Sequence, residues 1–137
     1  MNSSPKSSAG WGLMVLRVVV GIVFAMHGGQ KLFVMGIPAV SGFFTHLGVP
    51  LAHVSAVLVT LVEFLGGIAL ILGLGTRWAA ILLALDMAGA IFFVHGKNGF
   101  LLPMGFEFVL TLLAANVALA LAGPGAASVD RVVFHKN

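Results

Sequence analysis

Leu61-Val62-Glu63-Phe64-Leu65-Gly66-Gly67-Ile68-Ala69-Leu70-Ile71-Leu72-Gly73-Leu74-Gly75-Thr76-Arg77-Trp78 sets one carboxylic acid inside an apolar run of membrane-spanning length. A small-residue patch follows it, and the run ends on an Arg-Trp pair suited to a membrane surface. An isolated carboxylate in lipid costs several kcal/mol, so Glu63 is expected to have a partner, a proton or a task. Outward from this stretch, 60% hydrophobic and 8% charged residues with a mean hydropathy of +1.13 describe an integral membrane protein of one domain.

The apolar pattern divides the chain into a Ser-rich, solvated tail over 1–10, spans at about 11–34, 52–74, 77–95 and 101–122, and a polar tail over 123–137. The first run is too long for the core of a secretory signal and is read as a retained helix. Between the first two spans, Gly36, Pro38, Gly42, Gly48 and Pro50 break the pattern around Phe43, Phe44 and Leu47, which predicts a short interfacial helix. Pro103 is expected in the first turn of the fourth span. The predicted fold is therefore an all-α integral membrane four-helix bundle.

Four spans put both ends on one side of the membrane. Lys6, Arg77, Arg131 and Lys136 stand there against Lys31 and Lys97 opposite, which places both termini in the cytoplasm of a bacterial inner membrane. The seven Lys and Arg form no basic stripe with interleaved aromatics, so nucleic acid is not an expected partner despite the net charge of +3. With zero cysteines the chain has no disulfide, thiol catalyst or thiolate metal ligand of its own. His27, His46, His53 and His95 match no metal-ligand spacing, and no metal site is expected.

The candidate site residues are the ionisable groups inside the spans: Arg17, His27, Lys31, Glu63, Asp86 and Glu107. Depths taken at about 1.5 Å per residue suggest two layers. An inner layer would join Arg17 to Glu63 and Asp86, with one negative charge left unless a proton balances it. An outer layer would join Glu107 to His27 and Lys31. Two meanings stay open: ion pairs that lock helices together, or a polar interior that binds a ligand and carries a proton. The Gly66-Gly67 and Gly21/Gly28 patches read as helix contacts, and Phe43-Phe44 and Phe92-Phe93 as interfacial anchors.

Leu16-Arg17 with Gly21, His27-Gly28-Gly29-Gln30-Lys31-Leu32, Glu63 with Gly66-Gly67, Leu72-Gly73, Thr76-Arg77, His95 with Asn98-Gly99-Phe100, Glu107, Gly123-Pro124-Gly125 and Ser128-Val129-Asp130 together resemble the DoxX family of small membrane proteins. The resemblance implies a four-helix bundle. It also implies kinship with a small subunit of an archaeal thiosulfate:quinone oxidoreductase and with proteins of membrane redox complexes and oxidative-stress resistance. Arg17, His27, Lys31, Glu63 and Glu107 fall on the family's polar pattern, whereas Asp86 does not. The resemblance points to a subunit or anchor of a quinone-linked complex, not catalytic alone, with a quinone or quinol as small partner, other subunits or a homo-oligomer as protein partners, and no covalent cofactor. A scaffold or assembly protein, and a small solute or proton carrier acting as an oligomer, are the competing readings.

Overall fold

A computed structural model describes residues 7–134, and every regular element among them is helical. Helix α1 runs Ser8–Gly29 and continues as a π-helical turn, Gln30–Met35. Helix α2 is Ile37–His46, α3 is Ala52–Leu72, and α4 is Thr76–Ala90, continued by a π-helical turn at Ile91–His95 and a 3₁₀ turn at Gly96–Asn98. Helix α5 is Glu107–Ala122 and α6 is Val129–Phe134. The continuous helical stretches Ser8–Met35, Ala52–Leu72 and Thr76–Asn98 are long and apolar enough to cross a bilayer, and α5 is a shorter apolar helix beside them. At about 1.5 Å per residue α5 rises roughly 24 Å, close to the hydrocarbon thickness.

Lipid gives helices little hydrophobic reason to associate, so close backbone approach has to hold the bundle. The antiparallel pair α1 and α3 meets on glycines. A Cβ on Gly21 would stand 2.7 Å from the Gly67 carbonyl oxygen, Gly67 faces Ala25 and Gly21, and Gly28 rests on the Phe64 backbone. The register these contacts set puts Lys31 opposite Glu63, and Arg17 level with Leu70 and Ile71. Helix α4 packs on α3 and α5, and α2 lies along α3, where Val40, Phe44 and Ala56 form a small core of their own.

Two segments differ from expectation. Helix α5 starts at Glu107, several residues after the anticipated start near 101; Leu101–Phe106 form a compact loop instead, closed by hydrogen bonds from Gly105 N to Leu101 O, Phe106 N to Gly99 O and Glu107 N to Phe100 O, each 2.9 Å. Pro103 lies in that loop and opens no helix. The polar segment after α5 turns back into the protein. Gly125, Ala126 and Ser128 are buried, and Ala126 N donates to Gly10 O at 2.9 Å. The Asp130 carboxylate accepts from Gly75 N at 2.6 Å and Thr76 N at 2.9 Å, supplying α4 with the N-terminal cap that its own Gly75 cannot. Of the N-terminal tail, residues 1–6 lie outside the described part, as do residues 135–137 with Lys136. Ser7 accepts from Gly10 N at 3.1 Å and caps α1.

Candidate functional site

The six candidate residues separate into three groups. Arg17 stands by itself at the end where α3 meets α4. It is fully buried and donates all five of its N–H groups to main-chain oxygens: Nε to Pro124 at 2.9 Å, one terminal nitrogen to Leu70 at 2.8 Å and Ile71 at 3.0 Å, the other to Ala126 at 3.1 Å and Ala127 at 3.0 Å. A guanidinium has five donors, so nothing is left over for a ligand. Leu70 and Ile71 lie in the last turn of α3, the negative end of its dipole, and the Leu70 carbonyl also accepts from Gly73 N at 3.2 Å. This clasp ties α1 to α3 and to the chain after α5.

The inner layer expected for Arg17 with Glu63 and Asp86 does not form. The first turns of α1 extend beyond the α3–α4 turn and are covered by the 123–128 segment, so Arg17 lies level with the end of α3 and not beside its centre. About 21 Å along α1 separates Arg17 from Lys31. It is Lys31 that reaches the acid: Nζ bonds Glu63 Oε2 at 2.5 Å, the only ion pair among the described residues. Glu63 is 5% exposed, and the Lys31 side chain 22%. Asp86 of α4 stands beside this pair, its carboxyl in hydrogen-bond contact with that of Glu63 and within Coulombic reach of Lys31. Glu63 and Asp86 thus share a level, as their positions in the chain suggested, with Lys31 as their cation. Asp86 Oδ2 is buried and has no hydrogen-bond partner.

Glu107 does not hold His27 and Lys31. It sits half-buried in the first turn of α5, where a negative charge suits the helix dipole, and makes no ion pair among the described residues. His27 is exposed, one turn before Lys31, at the edge of the same hollow.

That hollow is a cavity of about 510 Å³. Lys31, Glu63 and Asp86 supply its charge, and His27, Ser55 and His95 its other polar edges. The remaining wall is apolar, with Phe24 of α1, Phe43 and Phe44 of α2, Phe93 of the second π-helical turn and Phe108 of α5. Volume and lining fit a small-molecule site with a few placed polar groups. Both π-helical turns border it, the first through Lys31 and Met35, the second through Phe93, Val94 and His95. Such turns cost regular hydrogen bonding and recur at functional sites. Phe44 and Phe93 are therefore cavity wall, not surface anchors, whereas Phe43 lines the cavity from its exposed rim and Phe92 points outward at 80% exposure. The sequence holds no sign of this: the wall assembles from α2 and from loop residues such as Leu102 and Pro103, which no periodicity links.

A family model described as DoxX matches residues 12–96, which include Arg17, Lys31, Glu63, Asp86 and His95. Among curated proteins the chain is 34% identical to "Putative oxidoreductase CatD" of Bacillus subtilis, over 90% of this chain and 87% of that protein. It is 35% identical to "Uncharacterized membrane protein Rv3486" of Mycobacterium tuberculosis, over 87% and 79%. Against "Inner membrane protein YqjF" of Escherichia coli identity is 32%, over 91% and 94%. No solved structure matches significantly. With a family model matched from α1 through α4 and relatives aligned along most of its length, this membrane-embedded chain belongs to the DoxX family.

Proposed function

We propose that this chain is a small inner-membrane subunit of a quinone-linked redox complex, and that it holds a quinone or quinol head against Lys31, Glu63 and Asp86. The observation that carries this reading is the pairing of an aromatic-walled cavity with three charged groups at one level inside an apolar bundle. The oxidoreductase name of the Bacillus subtilis relative supports the reaction class.

Interconverting a quinone and a quinol moves two electrons and two protons. The electrons pass between the head and a redox group on a partner subunit. The protons pass through the two carboxyls: Lys31 holds Glu63 through one N–H and keeps two more for a carbonyl oxygen, while Asp86 Oδ2 receives or releases the proton. Arg77 and Arg131 lie at the end where α1 begins and the chain after α5 folds back, and Lys31 is drawn into the bundle, which leaves Lys97 opposite. This asymmetry supports cytoplasmic termini and a cavity in the outer half of the bilayer.

The test is binding of decylubiquinone to the purified chain in nanodiscs, followed by thermal shift. Saturable binding that falls at least tenfold in Glu63→Gln and Asp86→Asn is expected, together with a flavin- or haem-bearing partner in mild-detergent preparations. A partner that copurifies while no quinone binds would replace this reading with that of a scaffold.

A further inference from the structure

The walls of the cavity are unevenly joined. Helix α2 packs on α3 and on the first π-helical turn but makes no extended contact with α4 or α5, although residues of all three border the hollow. A slot therefore separates α2 from the α4–α5 wall. Its rim is apolar and open: Phe43 is 47% exposed, Leu102 53% and Leu85 65%. Leu85 decides where the slot leads. It lies nine residues into α4, about 13 Å from that helix's start, at a depth where an exposed leucine meets acyl chains and not water.

The charge inside restricts what can enter. Two acids face one ammonium, so an anionic head would add to an acid-rich site in a medium that screens little. The buried Asp86 Oδ2 lacks a donor, and a buried acceptor without one is costly. A head that brings an O–H supplies what the site is missing.

We infer that the ligand enters sideways from the bilayer through the slot between α2 and the α4–α5 wall, with an uncharged hydroxyl-bearing head that donates to Asp86 and an apolar tail that leaves past Leu85. The inference rests on the cavity being the ligand site proposed above. It adds that the hydroxylated, reduced form of such a ligand is the one drawn from the membrane.

The experiment uses three probes with one tail and different heads, 4-dodecylphenol, 4-dodecylanisole and 4-dodecylbenzoate, in nanodiscs. Trp11 and Trp78 are replaced by Phe, and a Phe93→Trp reporter on the cavity wall reads binding of ring-brominated versions by quenching. Phe43→Trp serves if the first reporter does not fold. The phenol should bind at least tenfold tighter than the ether or the carboxylate, and Asp86→Ala should erase its advantage over the ether. A Leu85→Trp reporter should be quenched by a phenol brominated at the tail tip. Preference under tenfold in the unsubstituted site overturns the assignment of the head, and an unquenched Leu85→Trp overturns the lateral route. Should decylubiquinone bind while all three probes fail, the inference falls and the quinone reading stands; should the quinone fail as well, both fall.

Discussion

The Arg17 clasp and the Lys31 cluster are both buried charge in a membrane bundle, yet they are finished to different degrees. At Arg17 every donor has an acceptor, every acceptor is main chain, and the residue takes no part in the cavity wall. At Lys31 two acids share one cation, one carboxylate oxygen is unpartnered, and about 510 Å³ of space opens beside it. A charge whose bonds are all spent on backbone can only hold the fold. A charge beside space with an orphan acceptor has bonding capacity for something that is not the protein.

The sharpest way to break this contrast is to truncate Arg17. Arg17→Ala takes a donor from five carbonyls and separates α1 from the chain after α5, and should cost about 3–5 kcal/mol of stability in an SDS-unfolding titration. Arg17→Lys should recover only part of this, since an ammonium lacks the fork that spans α3 and the 123–128 segment. If Arg17→Ala unfolded like the parent chain, the clasp would lose its structural meaning. Next comes Gly67→Ala, whose methyl group would meet the Ala25 backbone and push α1 from α3. About 1–3 kcal/mol is expected from the same titration, with quinone binding weakened because Lys31 and Glu63 are carried apart.

Asp130→Ala removes the cap of α4 and should cost about 1 kcal/mol, visible as a lower thermal midpoint, with quinone affinity unchanged because the cap lies at the far end from the cavity. The smallest stability effects belong to the cluster itself. Glu63→Gln keeps an acceptor oxygen for Lys31 with Asp86 still within Coulombic reach, and Asp86→Asn leaves the Lys31–Glu63 pair intact, so each should shift stability by about 1 kcal/mol. Their effect on quinone binding should nonetheless be the largest of the set. Equal losses of stability and binding at Glu63 would sharpen the comparison in the other direction, by making the cluster a second lock.

Much of this was legible in the chain. Glu63 and Asp86 were expected at one level because helical rise converts residue number to depth along α3 and α4, which share the short Gly73–Gly75 turn. Arg17 and Lys31 were exchanged because α1 is joined to α3 through α2, a connection that leaves the relative height of the two helices free. That height is set by which glycines meet, Gly21 with Gly67 and Gly28 with Phe64, and glycine patches announce contact without announcing register. The residues after Gly123 read as a polar tail because of their composition. Those over 124–130 in fact turn inward, to Arg17 and to the α4 N-terminus.

Composition alone determined that this protein lives in a bilayer, because so few charges and so much apolar length leave no other solvent for it. Local pattern determined the helices and the polar positions inside them, because caps, breakers and apolar runs act over a few residues. The choice of partner for each charge, and the existence of a cavity, were decided only when the helices packed. Those depend on distances between residues far apart in the chain, and close backbone contact fixes such distances where no sequence period can express them.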